Sequence, residues 1–341
     1  MKKYLLLIFA LCYTVMANAQ GTDKLSAILQ HGNEVSVYEG ATGFQQAYAA
    51  AADGDVIILS QGVFQTVSRI EKSITIYGAG VENNEEANTA ITAFNGHVDV
   101  GKSDATIDGF RMEGVKVNGT IEFTYQVKNA TVKRCFTTGD LSFKRNSENV
   151  ILMQCYINNN NVVGTKDIVL DGLLIANCYV GGNINYFSPN SSVKIDHSFM
   201  KNQYNRDYDY KDYNLYAQFL WTNSIIYKDG PNYRMPTGNY ATIKHCIVVN
   251  GGGTIRDNNV VENCHYVDLA KLFADAEDGN YSEARTFKLQ DEETYKGNDG
   301  TPIGPSGGAG WNKVPSRPYV SNLSATPSGT NLNVTYETNV K

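Results

Sequence analysis

The feature that most constrains this chain is a repeat that returns every 18 to 31 residues between residues 74 and 266. In one unit, Leu173 and Ile175 stand two positions apart, and a bend residue, Asn177, precedes a small anchor residue, Cys178. The successive anchor residues are Ala79, Phe110 (a bulky exception), Cys135, Cys155, Cys178, Ser198, Ser224, Cys246 and Cys264. Because so short a unit cannot bury its apolar edge alone, the repeat predicts one stacked solenoid.

The residues around each anchor predict strands that meet at a corner. Apolar and polar residues alternate on both sides, as in strands, and the phase of this alternation breaks just before the anchor. The residue types found at the break tolerate the left-handed backbone conformation of a tight corner; they are Gly78, Gly109, Asn177, Asn223 and Asn263. The predicted fold class is therefore all-β.

The opening of the repeat region carries a more specific signal. The segments 43–47, 52–59, 62–64 and 70–80, together with the repeat, resemble secreted bacterial proteins of the pectin-lyase-like superfamily. The resemblance covers about residues 43–310 and implies a single-stranded, right-handed parallel β-helix of about nine or ten coils. It also implies an N-terminal capping helix, and Phe44, Ala47, Tyr48 and Ala51 would share one face of such a helix.

The N-terminus predicts export. Lys2 and Lys3 precede an apolar run and then Ala17-Asn18-Ala19, which is the order of a signal peptide cleaved after Ala19. We therefore divide the chain into a signal peptide (1–19), a lead-in (20–42), the β-helix (43–310) and a tail with short strand(s) (311–341). The expected location is secreted, periplasmic or at the cell surface.

The net charge and the sequence after the leader argue against two kinds of partner, nucleic acid and the membrane interior. The net charge is −6, and the basic residues do not cluster into a stripe, so we expect no nucleic-acid partner. After the leader no apolar run is long enough to span a bilayer, so we expect no membrane insertion.

Five cysteines remain after the leader, and all occupy the anchor position. An odd number leaves at least one unpaired. We interpret the cysteines as small packing residues, but Cys135 with Cys155 and Cys246 with Cys264 would be close enough on adjacent coils to form a disulfide.

Two histidines invite a catalytic interpretation. His197 and His245 fall at the bend position, where hydrogen bonding along the stack is the simpler role. Val193 to His197 and Arg234 to Pro236 resemble two segments of extracellular pectate lyases, but Lys194 and Asn239 break the match.

The resemblance places ligands along the first strand of each coil. Alternation between inward Leu141 and Phe143 turns Ser142 and Lys144 outward, and the comparable positions on other coils are Asn185, Arg234 and Arg256. The candidate catalytic residues are Lys144, Arg234 and Arg256; Asn185, Tyr208, Tyr210 and Tyr213 would bind substrate; and Asp207, Asp209 and Asp212 would hold Ca²⁺, the one cofactor suggested. A solvated loop or a protein contact is the alternative for residues 204–216.

These residues leave two functional classes open. One is a polysaccharide lyase, in which a basic side chain removes the proton beside a uronate carboxylate and Ca²⁺ or a second Arg neutralises that carboxylate. The other is a non-catalytic glycan-binding or adhesin-like protein that uses the same surface. In both cases the expected partner is an acidic polysaccharide, and a lyase is favoured over a glycoside hydrolase.

Overall fold

A computed structural model describes residues 25–84, 89–158, 161–165, 167–182, 184–185, 187–202, 218–228, 240–251, 255, 257–316, 318–328 and 331–340. Its strands form a parallel β-solenoid of about eight turns, slightly fewer than the nine or ten coils predicted. The prediction of a parallel all-β solenoid is confirmed. The predicted signal peptide and the Tyr- and Asp-rich loop lie outside the described residues.

Four sheets run along the solenoid. The long sheet contains the strands Ser26–His31, Glu34–Glu39, Val56–Leu59, Thr75–Tyr77, Arg111–Glu113, Thr131–Lys133, Ile151–Met153, Leu173–Ala176, Ser192–Asp196, Gln218–Thr222, Thr242–Lys244 and Val260–Glu262. The ten-stranded sheet contains Gly62–Gln65, Thr92–Asn95, Lys116–Val117, Phe136–Thr137, Tyr156–Ile157, Tyr179–Val180, Phe199–Asn202, Ile225–Lys228, Ile247–Asn250 and His265–Asp268.

The other two sheets are shorter. The five-stranded sheet contains Val98–Val100, Ile121–Phe123, Leu141–Phe143, Val162–Val163 and Ile184–Asn185, and the four-stranded sheet contains Ile107–Asp108, Val127–Lys128, Ser147–Glu148 and Leu170–Asp171. At the start of the long sheet, Ser26–His31 pairs antiparallel with both of its neighbours. A separate antiparallel pair, Pro318–Ser328 and Asn331–Val340, follows the solenoid.

The core is a stack of apolar side chains from successive coils. Along the long sheet, the inward positions Val132, Leu152, Ile175, Ile195 and Trp221 are all fully buried. Removing such a side chain down to Ala costs about 2 to 5 kcal/mol in comparable cores. The interior therefore holds the coils in register and fixes the direction of the outward side chains.

The predicted helix is present at Gly43–Ala50 and packs on the first strands. Phe44, Ala47 and Ala51 are buried, and Tyr48 packs at the edge of the same core. The Phe44 ring lies 4.7 Å from that of Phe94, centroid to centroid. A single 3₁₀ turn, Leu269–Lys271, follows the last coil.

The corner before each anchor is left-handed along most of the solenoid. Seven residues, which we call the bend column, have φ between 43° and 55°: Arg134, Gln154, Asn177, His197, Asn223, His245 and Asn263. The anchors that follow them are buried, except for the half-buried Cys264 at the last coil. The five described cysteines are all free thiols, which agrees with the packing interpretation.

Two corner assignments were wrong. Gly109 is left-handed, but it belongs to a second corner, shared with Asn129 and Asn149, that precedes the long sheet. The residue of that coil equivalent to Cys135 is therefore Val115, not Phe110, although both are buried. Gly78 is not left-handed. A Cβ there would collide with the carbonyl of Gly114 on the next coil, so this glycine serves a close backbone approach.

A C-terminal segment, residues 269–316, lies along the solenoid, and we call it the strap. Its Phe273, Phe287 and Ile303 join a second apolar cluster with outward residues of the ten-stranded sheet, including Tyr179 and Phe199. Its last part follows the bend column and hydrogen-bonds to several of its side chains. The strap thus covers the outer face of the ten-stranded sheet and the bend column. The outer face of the five-stranded sheet carries polar side chains, among them Asp99 and Glu122.

Candidate functional site

The five-stranded sheet positions a polar row on the outside of the solenoid. Its strands are short and parallel, with Val98, Ile121, Leu141 and their partners buried inside. Register pairing then aligns the outward residues Asp99, Glu122, Ser142 and Val163 from coil to coil, and Asn185 is the next position in the same register. Adjacent members of this row are about 4.8 Å apart along the solenoid, the usual spacing of paired strands.

The charged side chains of the row interact with one another and with Lys144. Glu122 accepts a hydrogen bond from the Ser142 hydroxyl at 2.9 Å and forms an ion pair with the Lys144 ammonium at 3.2 Å. Burial, together with the negative charge of Glu122, raises the pKa of the Asp99 carboxyl, against the opposing effect of His97 and Arg69. Asp99 is therefore more easily protonated than an ordinary surface aspartate.

Beside the row opens a cleft of about 560 Å³. It is lined by Gln45, Tyr48, Ala49, Val67, Ser68, Arg69, Glu71, Lys72 and Lys102, and thus by three basic side chains and one carboxylate. The Lys72 ammonium donates to the carbonyls of Tyr48 and Ala51 at 2.7 Å, which caps the end of the helix. Arg69 and Lys102 are the basic groups of the cleft that do not serve this capping role.

Arg69 connects the cleft with the polar row. Its guanidinium carbon lies 4.9 Å from the centroid of the Tyr125 ring, and its Nη1 lies 3.4 Å from Glu71. Its Nε is buried without a hydrogen-bond partner. Ile70 pairs in parallel with Val100, which places Arg69 next to Asp99 in register, so the cleft adjoins the row. Together the cleft and the row combine cations, carboxyls and tyrosine rings, the groups that sugars and uronates contact.

The structure places only part of the predicted site. Lys144 lies directly after the third strand of the five-stranded sheet, half exposed and paired with Glu122. Asn185 lies at the end of the polar row, next to Val163 in register. The remaining predicted site residues, Arg234, Arg256, Tyr208, Tyr210, Tyr213, Asp207, Asp209 and Asp212, lie outside the described residues. Their predicted roles stay predictions.

Both histidines lie in the bend column, as expected. His197 is 4% exposed, its Nε2 lies 3.0 Å from Asp299 of the strap, and a Cβ added at Gly307 or Gly308 would collide with its ring. It is enclosed between the solenoid and the strap. A side chain held in this way is suited to packing and hydrogen bonding, not to proton transfer with a polysaccharide.

Asp99, Glu122 and Arg69 were not among the sequence candidates. A usable signal existed for the first two, because aligning the inward residues Val98, Ile121 and Leu141 places Asp99 and Glu122 in line with Ser142. Arg69 carried no such signal, since it lies before the regular repeat and its place beside Asp99 depends on an isolated pairing of Ile70 with Val100.

Over the described part of the chain, no group of three or more His, Cys, Asp or Glu residues is arranged to hold a metal ion. Within the same residues, no helix is long and apolar enough to cross a membrane. No protein-family model matches the chain, and no curated protein matches it. The parallel β-solenoid is compatible with a carbohydrate-interacting protein, and the local chemistry must carry any narrower assignment.

Proposed function

We propose that this is an exported protein that binds an acidic polysaccharide across the cleft and the polar row. The observation that carries the proposal is the charge of the cleft: three basic side chains face one carboxylate, on a chain whose net charge is −6. An excess of positive charge in a concave site favours an anionic ligand. Tyr48 and Tyr125 add aromatic faces on which sugar rings stack.

Lys144 extends this binding surface along the solenoid axis. Its ion pair with Glu122 joins two side chains that are 46% and 26% exposed, and such pairs contribute about 0 to 1 kcal/mol. Because this ion pair is weak, the Lys144 ammonium can leave Glu122 and bind a ligand carboxylate with only a small loss of free energy. A polymer lying along the solenoid axis would meet Asp99, Glu122 and Lys144 on three successive coils.

Calorimetric titration with uronate oligosaccharides tests the proposal. An Arg69→Ala, Lys102→Ala double variant should weaken binding about tenfold or more, equivalent to about 1.4 kcal/mol. The matched control is Lys128→Ala with Lys244→Ala, which removes two exposed cations that pair with carboxylates on other sheets. Equal losses in the two double variants, or no binding by the wild-type protein, would contradict the proposal.

The second candidate function is cleavage of the same polymer by β-elimination. It is favoured by the half-buried Asp99, whose raised pKa and proximity to Arg69 bring a proton-transfer group beside a cation that neutralises a uronate carboxylate. The predicted participation of Arg234, Arg256 and Ca²⁺ belongs to this candidate.

The test for cleavage is the ultraviolet absorbance of unsaturated products, measured together with reducing ends. A lyase raises both signals, and Asp99→Asn should abolish them while leaving calorimetric binding nearly unchanged. New reducing ends without absorbance would indicate hydrolysis. Binding without either signal would leave the non-catalytic, adhesin-like function.

A further inference from the structure

The anchor cysteines differ sharply at the end of the solenoid. Cys135, Cys155, Cys178 and Cys246 are at most 3% exposed, whereas Cys264, the last anchor, is half-buried. Cys264 lies at the end of Val260–Glu262, the last strand of the long sheet. Cys264 is thus only partly covered, while the equivalent residues of the earlier coils are enclosed.

Cys264 also has a thiol neighbour. Ile247 and His265 are register partners on parallel strands, so the cysteines that precede them, Cys246 and Cys264, lie side by side on adjacent coils. Paired strands are about 4.8 Å apart, which falls within the Cα separation of about 4.4 to 6.8 Å that a disulfide requires. In the reduced protein the Cys264 thiol donates to the carbonyls of Ile243 and Glu262, and the Cys246 thiol donates to that of Lys244.

The environments of the two sulfurs shift their pKa values in opposite directions. The hydrogen bond from Cys246, helped by backbone contacts and opposed by burial, lowers the pKa of Cys264 to about 7. Burial raises the pKa of Cys246 well above its ordinary value, as it does for Cys135 and Cys178. Near neutral pH, Cys264 therefore carries a substantial thiolate fraction, and thiolate is the nucleophilic form.

We propose that Cys264 is a site of thiol–disulfide exchange with small-molecule disulfides, and that Cys246 is its resolving cysteine. The Cys264 thiolate attacks one sulfur of the disulfide; a mixed disulfide forms, the original S–S bond breaks, and the departing thiolate takes up a proton. The Cys246 sulfur then attacks Cys264. A Cys246–Cys264 disulfide forms, and the second small thiol leaves with the Cys246 proton.

The balance of this reaction is simple. One small-molecule disulfide is reduced to two thiols, and two protein thiols are oxidised to one disulfide. Only Cys264 needs to be accessible, because the resolving step takes place between neighbouring coils. The other three cysteines stay reduced, since they are buried and out of reach of the small-molecule disulfide.

The test is treatment of the folded full-length protein with oxidised glutathione, followed by intact mass measurement and peptide mapping. Wild-type protein should lose two hydrogens and contain a Cys246–Cys264 link. Cys246→Ser should stop at the mixed disulfide and gain one glutathione on Cys264, because serine keeps the hydrogen-bond donor but cannot resolve. Cys264→Ser should not react, and Cys178→Ser should behave as the wild type.

A kinetic measurement on the wild-type protein tests the role of Cys264, and its result does not depend on whether a variant folds. In the wild-type protein, alkylation of Cys264 should be about tenfold or more faster at neutral pH than that of a thiol with an ordinary pKa, with a midpoint near pH 7. Failure of Cys264 to react while the protein stays folded, or reaction of Cys178 at the same rate, would overturn the proposal. A mixed disulfide that persists in the wild type would overturn the role of Cys246.

Discussion

At the scale of single residues, Glu113 shows how the solenoid holds its strap. Its side chain is fully buried, and Arg111, Lys133 and Arg134 surround it. It also accepts a hydrogen bond from the backbone N–H of Ser316 at 2.6 Å. Burial raises the pKa of this carboxyl, but the contacts with Ser316 and Arg111 outweigh burial and hold it below its ordinary value.

Replacing Glu113 by Gln should therefore destabilise the protein by about 3 kcal/mol at neutral pH, because buried cations lose their counterion. The folded-state pKa is lowered, so the stability from this carboxylate is complete above the ordinary glutamate pKa and is lost as the pH falls through the folded value. The melting temperature, followed from neutral pH to about pH 3, should fall less steeply in the variant. Glu148→Gln, at an exposed ion pair, is the control; an identical pH slope for Glu113→Gln and wild type would refute the assignment.

At the scale of elements, the bend column has two functions. Each of its residues turns the chain, and several also bind the strap: Asn177 donates to the carbonyls of Pro305 and Gly307, and Gln154 donates to that of Gly310. The second left-handed corner, which includes Asn149, turns the chain in the same way but faces solvent. Comparing variants at the two corners therefore measures how much the strap contributes to the free energy of unfolding.

Asn177→Ala should consequently lower stability more than Asn149→Ala. Both residues have φ near 50°, so alanine introduces the same backbone strain at each. Only Asn177 is buried, and its loss removes the donor to the buried Pro305 carbonyl, whereas the Gly307 carbonyl keeps its bond from the Gly310 N–H; we expect this to cost about 1 to 3 kcal/mol more in urea unfolding. Similar midpoints for the two variants would show that the strap contributes little.

The two corners also explain what the sequence could and could not predict about the elements. Both place a left-handed residue before a buried one, so Gly109-Phe110 and Asn177-Cys178 have the same signature although they belong to different corners. The strap has no periodicity, and its contacts with the solenoid join residues far apart in the chain, 75 positions for Asn223 and Asn298 and 130 for Asn177 and Gly307. Such contacts depend on the folded geometry and leave no local pattern.

At the scale of the whole molecule, the repeat was sufficient to predict a parallel solenoid, because its register controls which side chains face inward. The predicted inward residues Leu141 and Phe143 are buried and Lys144 is half exposed, but Ser142, predicted to face outward, is also buried, with its hydroxyl bonded to Glu122. The cleft was not predicted, since it forms between the capping helix, the first coil and Lys102 of a later turn. The proposed binding surface depends on this assembly of distant segments.

The central proposal is that an acidic glycan occupies this surface. A crystal structure of the protein soaked with a uronate oligosaccharide tests it most directly. We expect a sugar carboxylate within hydrogen-bond distance of the Arg69 guanidinium or the Lys102 ammonium, and a sugar ring against Tyr48 or Tyr125. An empty cleft, or oligosaccharide bound only on another face of the solenoid, would contradict the account.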